Sequence, residues 1–349
     1  MDKIGLISTN LAEKIAMTVT ESPYRVTAET ISNTCGQSIS SGGVWNMMQR
    51  LGERLDEEEQ YAVKEMHADR TQGEKIIPVL FEEMDGIWLH MQDSSHKRMK
   101  KQEMKVFTMY EGWDKDQQRR STLVGKTMLA GMETSRLFHE KREALIEKKY
   151  DVDEIQQRIL NGDGGSWIKE TYDPDAIFQL DRYHVYQEIL RKINDRSAQR
   201  EARNLFEEGK TEELLEFLLV YADSVETTDE KDNRSRNARE LYRYLNNNKA
   251  GLLPYQKQGK KIPEPREGIV YKNMGVQESQ NCTVITMRMK HRRMRWSVKG
   301  ANNMAKVLCC KENKELCRTI EKYTDGLIFN ARMNEIMETL SAAKTSKKD

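Results

Sequence analysis

The chain has no long apolar run. Nothing in its 349 residues approaches the ~20 consecutive apolar positions that a bilayer crossing needs, and 32% of the residues are charged, with a mean hydropathy of −0.81. Nor is there an excess of either charge. Lysine and arginine number 57 against 56 aspartates and glutamates, a net +1, so composition by itself points to neither a nucleic-acid binder nor an acidic tail. Charge can still be segregated locally, which is the scale a phosphate group feels. The opening MDKIGLISTNLAEKIAMTVT lacks the unbroken apolar stretch of a secretory signal. Cysteine is scarce and unpaired by spacing: Cys35, Cys282, Cys309, Cys310 and Cys317 form no C-x-x-C, and their odd number fits reduced thiols. The run CCKENKELC also lacks zinc-ligand spacing. These absences describe a soluble cytoplasmic chain, long enough for two or more structural units.

What is present changes character along the chain. In residues 26–55, Ile31, Gly36, Ile39, Val44 and Met48 fall where a helix, a tight glycine turn and a second helix would place them, with Ser40 or Ser41 as cap. That pattern fits a helix-turn-helix and equally an ordinary helical hairpin; residues 56–75 read as a polar helical link. KIIPVLFEEMDGIWLHMQ, residues 75–92, reads as two strands meeting at an Asp85-Gly86 turn, and EMKVFTMYEGW as a third strand. Residues 121–149 read as helical, and DEIQQRILNGDGG and AIFQLDRYH as two further strands, each ending near an aspartate. Strands in succession followed by strands alternating with helices predict an α/β (α+β mixed) fold, a mixed sheet flanked by helices. Residues 186–265 read as an all-helical insertion closing in a linker with Pro254, Pro263 and Pro265. The expected division is therefore a helical region over 1–74, a core begun over 75–185 and completed over 266–335 around the insertion, and a disordered tail over 336–349.

Three acidic residues stand out: Asp85, Asp163 in NGDGG, and Glu278 opening the helix of GVQESQNC. Oxygen-rich carboxylate sites suit Mg²⁺ or Mn²⁺, and two such ions ~3.5–4 Å apart can serve an in-line displacement at phosphorus. The plain alternatives are that Asp85 and Asp163 are Asp-Gly turn residues and that Glu278 answers a helix dipole. Asp181 and His184, three residues apart at a strand-to-helix junction, would sit near the same sheet edge. The basic run MKHRRMRW supplies Lys290, Arg292, Arg293 and Arg295 as phosphate neutralisers or as a solvated charged face. Trp296 reads as a base-stacking ring or a core residue.

In this order, EEMDGIWLHMQ, MYEGWDKD, NGDGGSWI, LDRYHVYQEILRK and GVQESQNCTVITMRMKHRRMRWSVKGANNMA resemble the ISLre-type insertion-sequence transposases, related to the Mutator-like branch of the DDE transposases. The resemblance runs from about Val26 to beyond Ala305, and the last motif is the most specific. It implies a ribonuclease-H-like core with a catalytic, metal-holding triad of Asp85, Asp163 and Glu278. It also implies a helical insertion before the Glu and a D-x-x-H motif at Asp181 and His184 that organises the scissile phosphate; Asp181 as second metal ligand remains an alternative. The implied activity is Mg²⁺- or Mn²⁺-dependent cleavage of double-stranded DNA at element ends and strand transfer to target DNA, by a homodimer or larger assembly on the DNA. The family carries a longer region ahead of the helix-turn-helix. A shortened, catalytically silent DNA-binding remnant is therefore the rival expectation.

Overall fold

The computed structural model describes residues 8–116, 122–170, 173–229, 232–291 and 294–323. Three helices come first: α1 (Thr9–Val19), α2 (Tyr24–Cys35) and α3 (Ser41–His67). Strands β1 (Val79–Leu89), β2 (Gln102–Tyr110), β3 (Gly112–Asp114), β4 (Leu123–Val124) and β5 (Thr127–Gly131) lead into α4 (Ser135–Lys149). Then follow β6 (Gln157–Gly162), β7 (Ile177–Leu180) and the helices α5 (Arg182–Lys192), α6 (Arg196–Glu208), α7 (Thr211–Ser224) and α8 (Arg234–Asn247). After the short β8 (Ile269–Val270) comes a composite helix: α9 (Gln277–Gln280), a π-helical turn (Asn281–Thr286) and α10 (Met287–Met289). The helix α11 (Val298–Glu312) packs back on the sheet.

The main sheet has the order β5-β2-β1-β6-β7. β1, β2 and β5 are antiparallel neighbours, whereas β6 and β7 run parallel to β1. The chain thus forms a mixed sheet of five strands with helices on it, as expected, although two elements differ from the sequence reading. The run 75–92 is not two strands about an Asp-Gly turn. Asp85 and Gly86 lie inside the single strand β1, opposite Val106 and Lys105, with the Glu103 carboxyl lying over Gly86, 1.9 Å from where a Cβ would stand. The glycine leaves room for a neighbouring side chain and makes no turn. Of the run read as helical over 121–149, residue 121 lies outside the described part, β4 and β5 come next, and only Ser135–Lys149 is helix, capped by Thr134. The fully buried run Thr127–Gly131 has no period to distinguish strand from helix.

Each face of the sheet has its own core. Ile87 and Leu89 of β1, with Met104, Val106, Met128 and Ala130, pack against α1, α2, α3 and α11 through Ile15, Ile31, Met48 and Ala305. The opposite face buries Leu80, Met84 and Phe107 against Phe138 and Ile146 of α4. Below the first core, Phe81 stacks on Tyr110 at 5.4 Å and meets Trp113, Tyr255 and Tyr271 edge-on. The helices α5 to α8 form a bundle with a separate core of residues such as Val185, Phe206, Leu218 and Leu245.

The N-terminal hairpin has the expected turn: α2 ends at Gly36 in the left-handed region, and the Ser40 hydroxyl accepts from Gly43 N at 3.0 Å to cap α3. It is not a separate unit, because α3 continues to His67 and its Val44, Met48 and Leu51 belong to the same core as the sheet. Gly52 lets α3 cross α11 closely; a Cβ there would lie 2.4 Å from Cβ of Asn303 and 2.6 Å from its carbonyl oxygen. One turn further, Lys141 of α4 and Lys306 of α11, both with 0% exposed side chains, bind Glu59 and Glu133, and Lys141 also binds Asp56 at 2.6 Å. These carboxylates are an ion-pair network joining three helices.

Two outcomes test this framework. Gly52→Ala is expected to lose about 1–3 kcal/mol in urea unfolding despite alanine's better helix propensity, because α11 must shift; a gain would show that the crossing has slack. Lys306→Met is expected to cost about 3–5 kcal/mol by leaving carboxylates uncompensated. Glu133 is desolvated, yet Lys306 and Lys141 hold it at about 2, below its ordinary 4.5. Its contribution is therefore complete above about pH 4.5 and lost as pH falls through about 2, which acid titration of folding in the wild type and Lys306→Met would display.

Candidate functional site

The parallel strands bring three aspartates to one edge. Met84 of β1 is in register with Gly162 of β6, and Gly162 with Leu180 of β7, so the residues that follow, Asp85, Asp163 and Asp181, lie at adjacent strand positions at the carboxyl edge of the β6–β7 pair. Such edges are where open α/β sheets bind ligands. Asp163 opens the loop after β6 and accepts from Gly165 N at 2.8 Å. The insertion is fastened to this loop, for Tyr244 of α8 donates to the Asp163 carbonyl at 2.9 Å.

Glu278 arrives from the distant helix α9, whose position is set by a buried carboxylate. Glu83 of β1 is fully buried and accepts from Gly275 N, Val276 N and Gln277 N at 3.1–3.2 Å. It also accepts from the Tyr110 hydroxyl at 2.6 Å and from Asn161 Nδ2 at 3.1 Å. Burial raises its pKa, partly offset by these donors. Asn161 Nδ2 also reaches Asp181 Oδ2 at 2.7 Å, and the other Asp181 oxygen caps α5 by accepting from His184 N at 3.2 Å. Asp181 is therefore committed to the frame.

One helical turn of α9 places Glu278 beside Asp85. Ligand atoms of Asp85, His184 and Glu278 all lie within 4.8 Å of one another. Asn281, first residue of the π-helical turn, donates to Asp85 Oδ2 at 2.6 Å, while Gly86 N donates to Asp85 Oδ1 at 2.7 Å. The charges make the site strongly negative. Burial first, and then the charges of Asp85 and Asp181, push both Glu278 and Asp163 up from their ordinary values. His184 responds in the opposite sense: burial alone would lower it, but the Asp85 contact at 3.6 Å and the charges of Asp181 and Asp163 raise it to about 9. The carboxylate donors fit a hard divalent cation such as Mg²⁺ or Mn²⁺, and their mutual repulsion is what such an ion relieves.

The structure thus brings Asp85, Glu278 and His184 into one cluster, with Asp163 and Asp181 beside it. Lys290, whose charge reaches Glu278, and Arg295 are exposed; Arg292 and Arg293 lie outside the described residues. Trp296 is not a base-stacking ring: it is 7% exposed, donates from Nε1 to the Met289 carbonyl at 2.9 Å and packs over the Arg288 guanidinium. Arg288 is itself buried and donates to the Val19 carbonyl at 2.6 Å, so the last part of this helix meets the N-terminal helices. The sequence reading missed Glu83, Asn161 and Asn281. Glu82 and Glu83 inside an apolar strand were a usable signal, since a buried carboxylate demands partners.

A family model matches residues 1–324. The chain belongs to the uncharacterised protein family UPF0236. A UPF0236 protein of Caldanaerobacter subterraneus subsp. tengcongensis, named jointly for eleven loci from TTE0033 to TTE2212, is 23% identical over 347 residues, covering 95% of this chain and 66% of its own length. A second from that organism, TTE0610/TTE0881/TTE1053/TTE2432, is 23% identical over 326 residues, 89% of this chain and 62% of its own. A third, TTE2489, is 24% identical over 208 residues, 58% and 42%. The chain spans about two thirds or less of the length of these UPF0236 relatives. Among the described residues, no helix is long and apolar enough to cross a membrane.

The site predicts an unusual titration. In metal-free buffer the His184 imidazole is expected to titrate near 9 by NMR, and in Asp85→Asn to fall toward 6.5. Because the folded value lies above the unfolded one, this contribution to stability is complete below about pH 6.5 and lost as pH rises through about 9. An ordinary His184 titration in the wild type would mean that Asp85 does not face it in solution.

Proposed function

We propose that this UPF0236 chain is the catalytic core of a bacterial insertion-sequence transposase, a cytoplasmic DNA phosphoryl-transfer enzyme. The observation that carries the reading is the close group of Asp85, Glu278 and His184, drawn from a strand, a helix beyond an inserted bundle and the start of that bundle, with Asp163 at the neighbouring strand end and its charge felt by His184. The strand order supports it: in sequence order the five strands of the main sheet lie 3-2-1-4-5, with the first three antiparallel and the last two parallel to the first, an arrangement expected of a ribonuclease-H-like core. The motif resemblance to ISLre-type transposases and the joint naming of one relative for eleven loci of a single genome fit a multicopy mobile element.

In this reading Asp85, Asp163 and Glu278 hold Mg²⁺ or Mn²⁺, with Asp181 in the supporting role that its two framework hydrogen bonds describe. When bound, the metal supplies an activated oxygen nucleophile and stabilises the leaving oxygen. Asn281 fixes the Asp85 carboxylate. Cationic His184, released from Asp85, donates to a nonbridging phosphate oxygen and offsets charge that develops there. In the first step water attacks phosphorus and frees a 3′-hydroxyl; in the second that hydroxyl attacks target DNA, so each step forms one P–O bond and breaks another. The partners are double-stranded element ends and target DNA, handled by two or more copies of the chain.

The test is cleavage of a labelled duplex carrying the element's own end, with Mg²⁺ or Mn²⁺. Asp85→Asn, Asp163→Asn and Glu278→Gln are each expected to lower cutting by about 10²–10³-fold, of the order seen when one principal electrostatic group is removed. Asp181→Asn is expected to act mainly through stability. Loss at Asp181 with activity retained at Asp163 would move the second ligand. DNA binding without cutting under any metal condition would leave a DNA-binding protein and remove the enzyme.

A further inference from the structure

Beyond Asp85 one face of β1 stays in the core through Ile87 and Leu89, while the other carries an exposed aromatic ring. Trp88 is 53% exposed, three residues along the strand from Asp85, or about 10 Å. It stands in register with Glu103 of β2. The Glu103 carboxyl lies over Gly86, and after burial the charges acting on it include those of Asp163 and Asp85. Strand alternation puts Trp88 and Glu103 on the face of the hairpin opposite the Asp85 side chain, and the charge of the acidic edge still reaches Glu103.

The same hairpin is basic. Gln92 pairs with Arg98, so the returning strand brings Arg98 and Lys101 back along His90. From the other side Trp296 N donates to the His90 carbonyl at 3.0 Å and Gln92 N to the Trp296 carbonyl at 2.9 Å, which fastens Arg295 beside the hairpin root. After burial, Lys101, Arg98, Arg295 and Lys290 are the charges that hold His90 below its ordinary pKa, so all four act on the same stretch of the hairpin. All four are exposed, and none forms an ion pair with a carboxylate among the described residues.

We propose that this hairpin grips an unpaired stretch of the DNA strand, Trp88 stacking on a nucleobase while Arg98, Lys101, Lys290 and Arg295 neutralise the flanking phosphates. This rests on the phosphoryl-transfer reading for its substrate. An exposed ring among unpaired cations suits single-stranded nucleic acid, because stacking accepts any base and the cations track the backbone. Intact duplex offers Trp88 no free base face, so the ring discriminates for a locally opened strand. That is the state a base pair at a cleavage point reaches when it frays or is pried apart.

The experiment measures binding of the full chain, in EDTA, to a fluorescein-labelled oligothymidine of about 20 nucleotides and to its duplex, by anisotropy across salt, with metal-dependent cutting of the end duplex measured in parallel. Trp88→Ala is expected to weaken oligothymidine binding about tenfold, with a smaller loss on duplex, and Trp88→Phe to restore most of it. Arg98→Ala/Lys101→Ala is expected to weaken both ligands and flatten the single-strand salt slope by about 1.4. Both changes are on the surface, and unaltered thermal melting checks that each variant is folded. Trp88→Ala binding oligothymidine like the wild type overturns the inference, whether or not the chain cuts DNA. A wild type that does not bind oligothymidine also overturns it. A wild type that binds in a Trp88-dependent way yet never cuts upholds the grip and removes the phosphoryl-transfer reading instead.

Discussion

One buried carboxylate fixes the geometry of the candidate site. Glu83 accepts three backbone N–H groups from the start of α9, a phenol from β2 and an amide from β6, and thereby joins segments almost two hundred residues apart in sequence. The arrangement is self-consistent: a carboxylate out of water demands several donors, and a helix start offers donors without partners. Neither half is stable in apolar surroundings alone. The position of Glu278 relative to Asp85 follows from this pairing and from Asn281, which reaches Asp85 itself just after α9. Asn161 then extends the frame to Asp181 and α5, so one connected set of buried hydrogen bonds spans β1, β2, β6, α5 and α9.

Much of this was legible in the sequence because chemistry and local pattern agreed. The strands ending at Asp163 and Asp181, the helix carrying Glu278 and the all-helical stretch after Tyr186 all follow from apolar period and punctuation. Asp85-Gly86 shows where local rules mislead: the dipeptide is a common turn former, but nine residues of β2 pair continuously along β1 and carry both residues through as strand. The sheet wins over the propensity of two residues. Similarly, the N-terminal hairpin had the right turn, yet its second helix runs 27 residues and is claimed by the sheet core, a long-range packing choice that no hairpin signature encodes. Trp296 could not be decided from its cationic neighbours, because burial depends on where Met289 and Arg288 turn, and that is set by helix phase.

Charge in this molecule is sorted by position, not by amount. The near-balanced total of 57 and 56 conceals buried neutralised networks, such as Arg158 with Glu82 and Glu143 between β1, β6 and α4, and an acidic edge that is not neutralised. The networks use Arg and Lys whose stems pack within apolar layers while their heads satisfy carboxylates. At the edge, His184 stands beside Asp85 and Glu278, and its raised pKa reflects the negative charge it answers. A site that keeps excess carboxylate within a rigid, hydrogen-bonded frame has its electrostatic field set before any substrate arrives.

The π-helical turn at Asn281–Thr286 gives the two ends of one helix different allegiances. A π turn accommodates an extra residue in an α-helix, so the residues after it are rotated relative to those before it. Ahead of the turn, Glu278 points at the acidic edge; beyond it, Arg288 faces the Val19 carbonyl and the Tyr24 ring. The turn is therefore a phase converter between the site and the N-terminal helices. Removing a single residue from it would keep both Glu278 and Arg288 while turning one end of the helix by about 100°, so that the carboxylate and the arginine could no longer both find their places.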